Sequence, residues 1–134
     1  MISKKCKYAI KAIIHVARNE GLGKNSNSSQ IAEEELIPKK FLESILLQLR
    51  NAKFLKSSRG KNGGYSLNIP LSEISILDII RVIDGPIALL PCVSLNYYSE
   101  CEDCLADTCL LKSLFETVRN SNIQILSQSL DDLL

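Results

Sequence analysis

The segment 27–67 limits the possible folds more than any other part of the chain, because three compact patterns follow one another in it. Residues 28–33 have the composition of a short capped helix. Residues 38–50 have apolar side chains at helical spacing, and Pro38 suits a first helical position, where its missing N–H would have no partner anyway. Two short helices joined by a tight turn predict a helix-turn-helix, whose second helix is the one that such motifs place in a DNA groove.

A β-hairpin is predicted directly after the second helix. Residues 54–58 and 64–68 suit two strands, and residues 59–63 between them form a glycine-rich turn that carries two cations. A helix-turn-helix followed by a hairpin with a basic tip is a winged helix. The predicted fold is therefore mainly α with a small β-hairpin.

Polar residues and glycines of these elements are the candidate DNA contacts. Lys39 and Lys40 can donate to guanine or phosphate, and Glu43 can accept from a cytosine amino group. Arg59 suits a narrow minor groove, because such grooves attract arginine and the neighbouring glycine permits close approach. The full set of candidates is Ser28, Gln30, Lys39, Lys40, Glu43, Arg50, Arg59, Gly60, Lys61, Gly63, Gly64 and Tyr65.

Charge is divided unevenly along the chain. Residues 1–70 hold 13 Lys and Arg against 5 Asp and Glu, a balance of +8, whereas residues 71–134 hold 3 against 10, a balance of −7. A basic half beside an acidic half indicates a polyanionic partner on one side only. No apolar run approaches the roughly 18 residues that span a membrane, so a cytoplasmic protein without a membrane partner is expected.

A first helix is predicted over 4–18. Its cations and His15 recur at steps of three and four residues and form one stripe, which faces either DNA phosphates or water. His15 is expected to be an exposed histidine of that stripe. Cys6 falls among apolar residues and is expected to be a small core side chain.

The acidic half predicts three further helices, the last of them a short terminal helix over 129–134. Ser75 and Asp78 form a capping pattern for a helix over 76–84, which Gly85 and Pro86 end. A long leucine-rich helix is expected to begin within 106–110. Its apolar surface is larger than a small winged helix needs to cover, so it either folds back on its own core or pairs with a second subunit.

Four of the five cysteines lie within 18 residues of each other, at Cys92, Cys101, Cys104 and Cys109. A Cys-x2-Cys pair presents two thiolates from one turn, and the flanking pair can complete a tetrahedral set. The spacing matches neither a zinc ribbon nor a ferredoxin. It therefore leaves a metal or cluster site, a thiol/disulfide switch and inert thiols as alternatives.

Several short motifs resemble one family of bacterial regulators. They are Ser3-Lys4-Lys5, Tyr8-Ala9-Ile10, Ile31-Ala32, Phe41-Leu42-Glu43, Arg59-Gly60 with Gly63-Gly64-Tyr65, and Asp78-Ile79-Ile80. The family is the Rrf-type family of winged-helix transcription factors, with IscR-, NsrR- and CymR-like members. The resemblance implies a homodimer that binds double-stranded DNA at a near-palindromic operator and dimerises through the late helix. The expected organisation is a DNA-binding region over 1–86 and a cysteine-rich sensor segment with the dimerisation helix over 87–134.

The resemblance also implies an iron–sulfur cluster that controls DNA affinity. IscR- and NsrR-like members hold a cluster with three cysteines of this region; Cys92 and Cys109 match the outer two, and either Cys101 or Cys104 matches the middle one. The histidine ligand of IscR-like members is replaced by Lys112, and the aspartate ligand of NsrR-like members by Lys7. A fourth cysteine can replace the missing ligand. Zinc is the alternative occupant, and CymR-like members lack the cluster.

Two other functions would use parts of the same sequence. A thiol enzyme would use the Cys-x2-Cys pair, but no βαβ context, Ser/His/Asp set or phosphate loop accompanies it, so no enzyme is expected. A zinc-stapled winged helix that binds protein is the remaining alternative, and the +8 half argues against it.

Overall fold

The computed structural model describes residues 2–102 and 109–134. Cys104, one of the four candidate ligands, lies outside these residues. The helices are α1 (Lys4–Gly21), α2 (Ser28–Glu35), α3 (Lys39–Asn51), α4 (Ile76–Ile83), α5 (Leu110–Leu126) and α6 (Leu130–Leu133). The strands β1 (Leu55–Ser58) and β2 (Gly64–Leu67) form an antiparallel hairpin, and single 3-10 turns occupy Leu71–Glu73 and Pro91–Val93.

The helix α1 is at the centre of the packing, in contact with α2, α3, α4 and β2. One face of α1 and the inner faces of α2, α3 and α4 supply a single apolar core. Its fully buried side chains include Ile13, Ile31, Leu42, Ile45, Leu46, Leu49, Ile74, Ile79 and Leu130. The arrangement confirms the predicted class, mainly α with a small β-hairpin in a winged helix-turn-helix.

Local caps explain where the helices begin. The Ser3 side chain accepts from the Cys6 N–H at 3.0 Å, and the Asn27 side chain accepts from the Gln30 N–H at 2.8 Å. Ser75 and Asp78 form the predicted capping box of α4. Pro38 differs by one position from the prediction, since it precedes α3 in an extended conformation and Lys39 is the first helical residue.

The two ends of the winged helix are tied together by Asp84, the residue that follows α4. Its carboxylate accepts from the Ser3 N–H at 2.8 Å and also from the Ser3 hydroxyl. The first residues of α1 are therefore held against the end of α4.

The helix α5 is packed differently from the others, because none of its 17 residues is buried. Its most extensive contacts are with the Pro91–Val93 turn and with α4, and an Arg119 guanidinium N–H donates to the Val93 carbonyl at 2.7 Å. The helix α6 returns to the core: Leu130 is fully buried, and its N–H donates to the Ile74 carbonyl at 2.8 Å. Within the described residues, no helix combines the length and apolar character needed to cross a bilayer.

Candidate nucleic-acid interface and cysteine segment

The turn between α2 and α3 is short and strained at one residue. Leu36 adopts the left-handed conformation, with φ 56° and ψ 46°, although its side chain is 84% exposed. The N–H groups of Leu36 and Ile37 both donate to the Ala32 carbonyl, and Ile37 is buried beneath the turn. This geometry closes α2 and sends the chain directly into α3.

The helix α3 has one wholly buried and one wholly exposed face. Leu42, Ile45, Leu46 and Leu49 are fully buried on the first face. The predicted contacts on the other face, Lys39, Lys40, Glu43 and Arg50, are all exposed. The second face is thus an accessible polar surface on a helix held in place by the core.

Two residues of the exposed face were missed by the sequence reasoning. Ser44 and Leu47 are exposed, and with Lys40 and Glu43 they follow the helical spacing i, i+3, i+4, i+7. Leu47 is 45% exposed amid polar neighbours, a position from which a leucine can contact a thymine methyl group. The spacing rule that located the buried face could have located both residues.

The wing tip projects into solvent. In the hairpin Leu55 pairs with Leu67 and Ser58 with Gly64, which leaves residues 59–63 as the loop. The predicted contacts Arg59, Gly60 and Lys61 are exposed, and Gly60 has a φ of 103°, a conformation that favours glycine.

The root of the wing is where the remaining predicted wing residues lie. Gly63, Gly64 and Tyr65 are half-buried there. Gly64 has a φ of 150°, and a Cβ at this position would lie 2.5 Å from the Ser26 carbonyl oxygen. Tyr65 donates its N–H to the same oxygen at 2.7 Å. The glycine therefore permits the backbone contact that fixes the wing to the segment before α2.

His15 is buried, only 5% exposed, and the expectation of an exposed histidine was wrong. Its Nδ1 lies 3.0 Å from Glu35 Oε1, and its Nε2 lies 3.1 Å from Asn19 Nδ2. Glu34 Oε2 lies 3.5 Å from the same Nε2, so the carboxylates of two α2 residues face the two ring nitrogens. Asn19 also donates to the Ser26 hydroxyl at 2.9 Å. The chain of bonds links α1, the end of α2 and the root of the wing.

The first turn of α2 contains the two other predicted contacts. Ser28 and Gln30 are half-buried, and the Gln30 amide nitrogen lies 3.2 Å from Glu34 Oε1. Asn27, the cap of this helix, is exposed directly before them. Helix N-termini with free N–H groups suit phosphate oxygens.

The cysteine segment brings two of the predicted ligands together. Cys92 lies in the Pro91–Val93 turn, and its Sγ is 3.9 Å from Cys101 Sγ. Two thiolates bound to one tetrahedral metal at about 2.3 Å each lie about 3.8 Å apart, so this pair fits one metal centre. Cys109 is exposed and immediately precedes α5. In residues 2–102 and 109–134, no group of three potential ligands assembles.

Cys6 is fully buried in the core, as expected. Burial and, to a smaller extent, the nearby Asp84 carboxylate raise the pKa of its thiol to about 11. A thiol in this environment stays protonated at neutral pH and neither binds a metal nor reacts readily.

A helix-turn-helix with an exposed polar recognition face, followed by a wing with a basic tip, defines the class of winged-helix DNA-binding proteins. Comparison with known proteins specifies the family. The chain belongs to the Rrf2 family, described as iron-dependent transcriptional regulators, whose family model matches residues 2–134. It is a transcriptional regulator of this family, as the sequence motifs predict.

Three similar proteins illustrate the relationship. An rrf2-like HTH-type transcriptional regulator of Rhodobacter capsulatus is 40% identical over 139 residues, covering 100% of this chain and 92% of the relative. The structure of CymR, the global cysteine regulator of B. subtilis, matches with a TM-score of 0.79 and 30% identity over 99% of this chain and 95% of CymR. The structure of T. potens IscR matches with a TM-score of 0.76 and 28% identity over 99% of this chain and 85% of IscR.

Proposed function

We propose that this regulator is a homodimer that binds a near-palindromic operator, and that a cysteine-ligated iron–sulfur cluster controls its affinity for that DNA. The exposed face of α3 is the observation that supports sequence-specific DNA binding. Lys40, Glu43, Ser44 and Leu47 form one accessible stripe, while the opposite face is fully buried. A buried face fixes the orientation of the helix, so the stripe is presented without reorganisation.

The groups on the stripe differ in what they can read. Lys40 donates, Glu43 accepts and Leu47 offers an apolar contact, so together they discriminate among base edges in a major groove. Glu43 also acts by exclusion, since a carboxylate facing an acceptor edge is left unpaired at a cost. The exposed wing cation Arg59 adds contacts to a minor groove or to phosphates.

Selection of binding sites from random double-stranded DNA tests this reading. We expect wild-type protein to select one near-palindromic consensus, and Glu43→Ala to accept a broader set while its best affinity falls less. The matched control is Glu33→Ala, which removes an exposed carboxylate from α2. If wild type and Glu43→Ala select the same consensus, Glu43 has no role in base discrimination.

The cofactor part of the proposal is supported by the pair Cys92 and Cys101. Their sulfur separation of 3.9 Å suits two ligands of one tetrahedral iron or zinc. In this proposal Cys104 and Cys109 complete an all-thiolate set. The family description as iron-dependent regulators and the likeness to an IscR structure favour iron over zinc. When bound, such a cluster supplies redox sensitivity, because thiolate-held clusters are vulnerable to oxygen, nitric oxide and iron shortage.

The coupling to DNA follows from where the cysteine segment lies. Cys92 is one residue from Val93, whose carbonyl holds Arg119 of α5. Binding of a cofactor to this segment would therefore act on the position of α5 relative to the winged helix. In a dimer built through α5, that position sets the spacing of two recognition helices, and half-site spacing is a geometric constraint.

Metal analysis of anaerobically purified protein is the decisive test. We expect iron and acid-labile sulfide, a brown colour that oxygen bleaches, and a change in operator affinity on bleaching. Ser substitution at Cys92, Cys101, Cys104 or Cys109 should lower cluster occupancy, whereas the buried Cys6→Ser should not. Zinc without sulfide, or equal DNA affinity with and without the cofactor, would contradict the sensing proposal and leave the DNA-binding assignment standing.

A thiol/disulfide switch is the second candidate, favoured by the same pair. A disulfide has an S–S length of about 2.05 Å, so the Cys92 and Cys101 sulfurs would approach by about 2 Å. With diamide as the oxidant, the two thiols lose two hydrogens to it and form one S–S bond. Mass spectrometry of metal-free protein detects this S–S bond, and the operator affinity of the same protein shows whether the bond changes DNA binding. Together the two measurements distinguish this switch from cluster sensing.

A further inference from the structure

The turn of the wing, residues 59–63, is tightly folded. The Gly63 N–H donates to the Gly60 carbonyl at 2.9 Å. A Cβ on Gly63 would lie 2.6 Å from the Ser58 carbonyl oxygen, so glycine lets the chain return this closely on itself. In a turn this compact, a contact that fixes one residue also limits where Arg59 lies.

The rest of the chain holds the wing mainly at its root. The Tyr65 N–H donates to the Ser26 carbonyl at 2.7 Å, and the Leu67 N–H donates to Glu20 Oε2 at 3.0 Å. Both donors belong to β2, and strand pairing stops before the turn begins. A two-stranded hairpin is marginally stable by itself, so these bonds fix the root and leave the direction of the turn to be set by another contact.

One side chain from outside the hairpin reaches the turn. The Asn25 amide Nδ2 donates to the Asn62 carbonyl, across 37 positions of sequence. Within residues 2–102 and 109–134, it is the only hydrogen bond that joins the turn to a residue outside the hairpin. The connection between α1 and α2 therefore contacts both the root and the turn of the wing.

The backbone on either side of Asn25 is anchored. The Lys24 N–H donates to the Asn19 carbonyl at 2.8 Å. Ser26 is fully buried, and its hydroxyl oxygen accepts from the Asn19 amide at 2.9 Å. Asn27 caps α2. The Asn25 amide is thus presented to the wing from a fixed segment that leads directly into the helix-turn-helix.

The bond between Asn25 and Asn62 is exposed to solvent. The net contribution of such a bond to stability is small, because water replaces either partner when the bond breaks. Its loss should leave the fold intact and free the turn. These two properties together favour a role in orienting the turn over a role in folding.

We propose that Asn25 is a positioning residue for DNA binding: by holding the Asn62 carbonyl, it orients the turn so that Arg59 meets DNA at a fixed place relative to α3. The proposal rests on the role of Arg59 under the proposed function. Asn25 acts through the turn and not by contacting DNA. An arginine on an oriented turn loses less freedom when it binds, so the bond raises affinity.

A double-mutant cycle on operator binding tests this coupling. Asn25→Ala should lower operator affinity about threefold to tenfold, the range expected for one hydrogen bond, and should cause no further loss in an Arg59→Ala background. Asn25→Gln keeps an amide donor and should recover part of the affinity. Asn51→Ala, the matched control at the exposed last residue of α3, should bind like the wild type. Equal losses in both backgrounds would overturn the proposal, as would an unchanged affinity of Asn25→Ala.

NMR relaxation tests the contact without DNA. In the nitrogen-15-labelled full chain, Asn25→Ala should lower the heteronuclear NOE of the Gly60 and Gly63 amides and leave that of Leu67 unchanged. Unchanged values at both glycines would overturn the proposal even if operator affinity falls. If Arg59→Ala binds the operator like the wild type, the proposed role of Arg59 fails, and a fall in these values still supports Asn25 as the residue that orients the turn.

Discussion

The helices α3 and α5 are both amphipathic, yet only α3 has fully buried side chains on its apolar face. Of its 13 residues, α3 buries four leucine or isoleucine side chains completely. The longer α5 buries none, although Leu110, Leu111, Leu114 and Ile125 are each more than half exposed on it. An apolar stripe therefore indicates that a helix packs against another surface, but it does not indicate whether that surface belongs to the same chain or to another one. For α5 the surface is expected on a second subunit.

Charged substitutions in the apolar face of α5 should have the largest effect on dimerisation and operator binding. We expect Leu114→Asp together with Val118→Asp to give monomers or insoluble protein and to abolish specific operator binding. The reason is that a palindromic site needs two correctly spaced recognition helices. Sedimentation equilibrium and operator titration measure both consequences. Leu22→Asp is the control, since Leu22 is 70% exposed beyond α1 and should not affect assembly. A soluble monomer with wild-type operator affinity would contradict the dimer.

A leucine-to-alanine substitution in each of the two helices should distinguish packing within one chain from packing between subunits. Leu46→Ala should lower the free energy of unfolding by about 2–5 kcal/mol, because the side chain is fully buried and leaves a cavity. Leu114→Ala should lower it only at protein concentrations where dimers form, because linkage to assembly is concentration-dependent. Denaturant titrations at two protein concentrations distinguish the two behaviours. Equal losses at both concentrations for Leu114→Ala would mean that α5 is stabilised within one chain.

A substitution in the wing should affect DNA binding without affecting dimerisation. Arg59→Ala should weaken operator binding by about tenfold to a hundredfold, or about 1.4–2.8 kcal/mol, and leave the free energy of unfolding unchanged. Arg59 is exposed and lies outside every core contact, so no packing is lost. Lys112→Ala, an equal loss of charge on α5, should leave operator affinity unchanged. If Arg59→Ala binds the operator with unaltered affinity at moderate salt, the wing does not take part in recognition.

The buried thiol of Cys6 should make the core sensitive to alkaline pH. Its pKa is raised from 9.0 to about 11 on folding, so above pH 9 the unfolded chain releases this proton and the folded chain retains it. Stability that is present below pH 9 is therefore lost as the pH rises toward 11, by about 2 kcal/mol between pH 8 and pH 10.5. Cys6→Ala should remove this part of the pH dependence. Identical alkaline profiles for both proteins would show that Cys6 does not contribute.

The smallest effect is expected at the turn before α3. Leu36→Gly should raise the free energy of unfolding by less than about 1 kcal/mol, because relief of a left-handed leucine, about 1–2 kcal/mol, exceeds the entropy cost of glycine. Leu22→Gly is the matched control, an exposed leucine after a helix but with φ −93°, and should be destabilising. If both variants lose stability equally, the conformation of Leu36 carries no strain.

Local signals account for what sequence reasoning predicted well. The bounds of α2, α3 and the hairpin follow from caps, helical periodicity and glycines, all of which act within a few residues. The capping box at Ser75 and Asp78 was predicted for the same reason. The assignment to the family followed from motifs in these same elements. Leu36 was not predicted, because a left-handed leucine has no sequence signal of its own.

Pairing across the fold accounts for what was missed. His15 repeats with cations along α1, so its periodicity indicated an exposed stripe. Its burial depends on Glu35, twenty positions away, and on Asn19, which also binds the wing root. The approach of Cys92 to Cys101 is likewise a property of the folded segment that spacing alone does not contain. The ligand roles of the four cysteines and the division at residue 86 stay predictions.

The return of α6 to the core turns α5 into a lever. Leu130 pins one end of α5 to the winged helix, while the other end begins beside Cys109. Seventeen residues at about 1.5 Å each give an arm of about 25 Å. A rotation of about 10° around the pinned end would sweep the cysteine end through about 4 Å, more than the diameter of a water molecule. By the same geometry, a displacement of about 1 Å at the Cys109 end turns the arm by only about 2°, so a small shift of the cysteine segment leaves the packing of Leu130 in place.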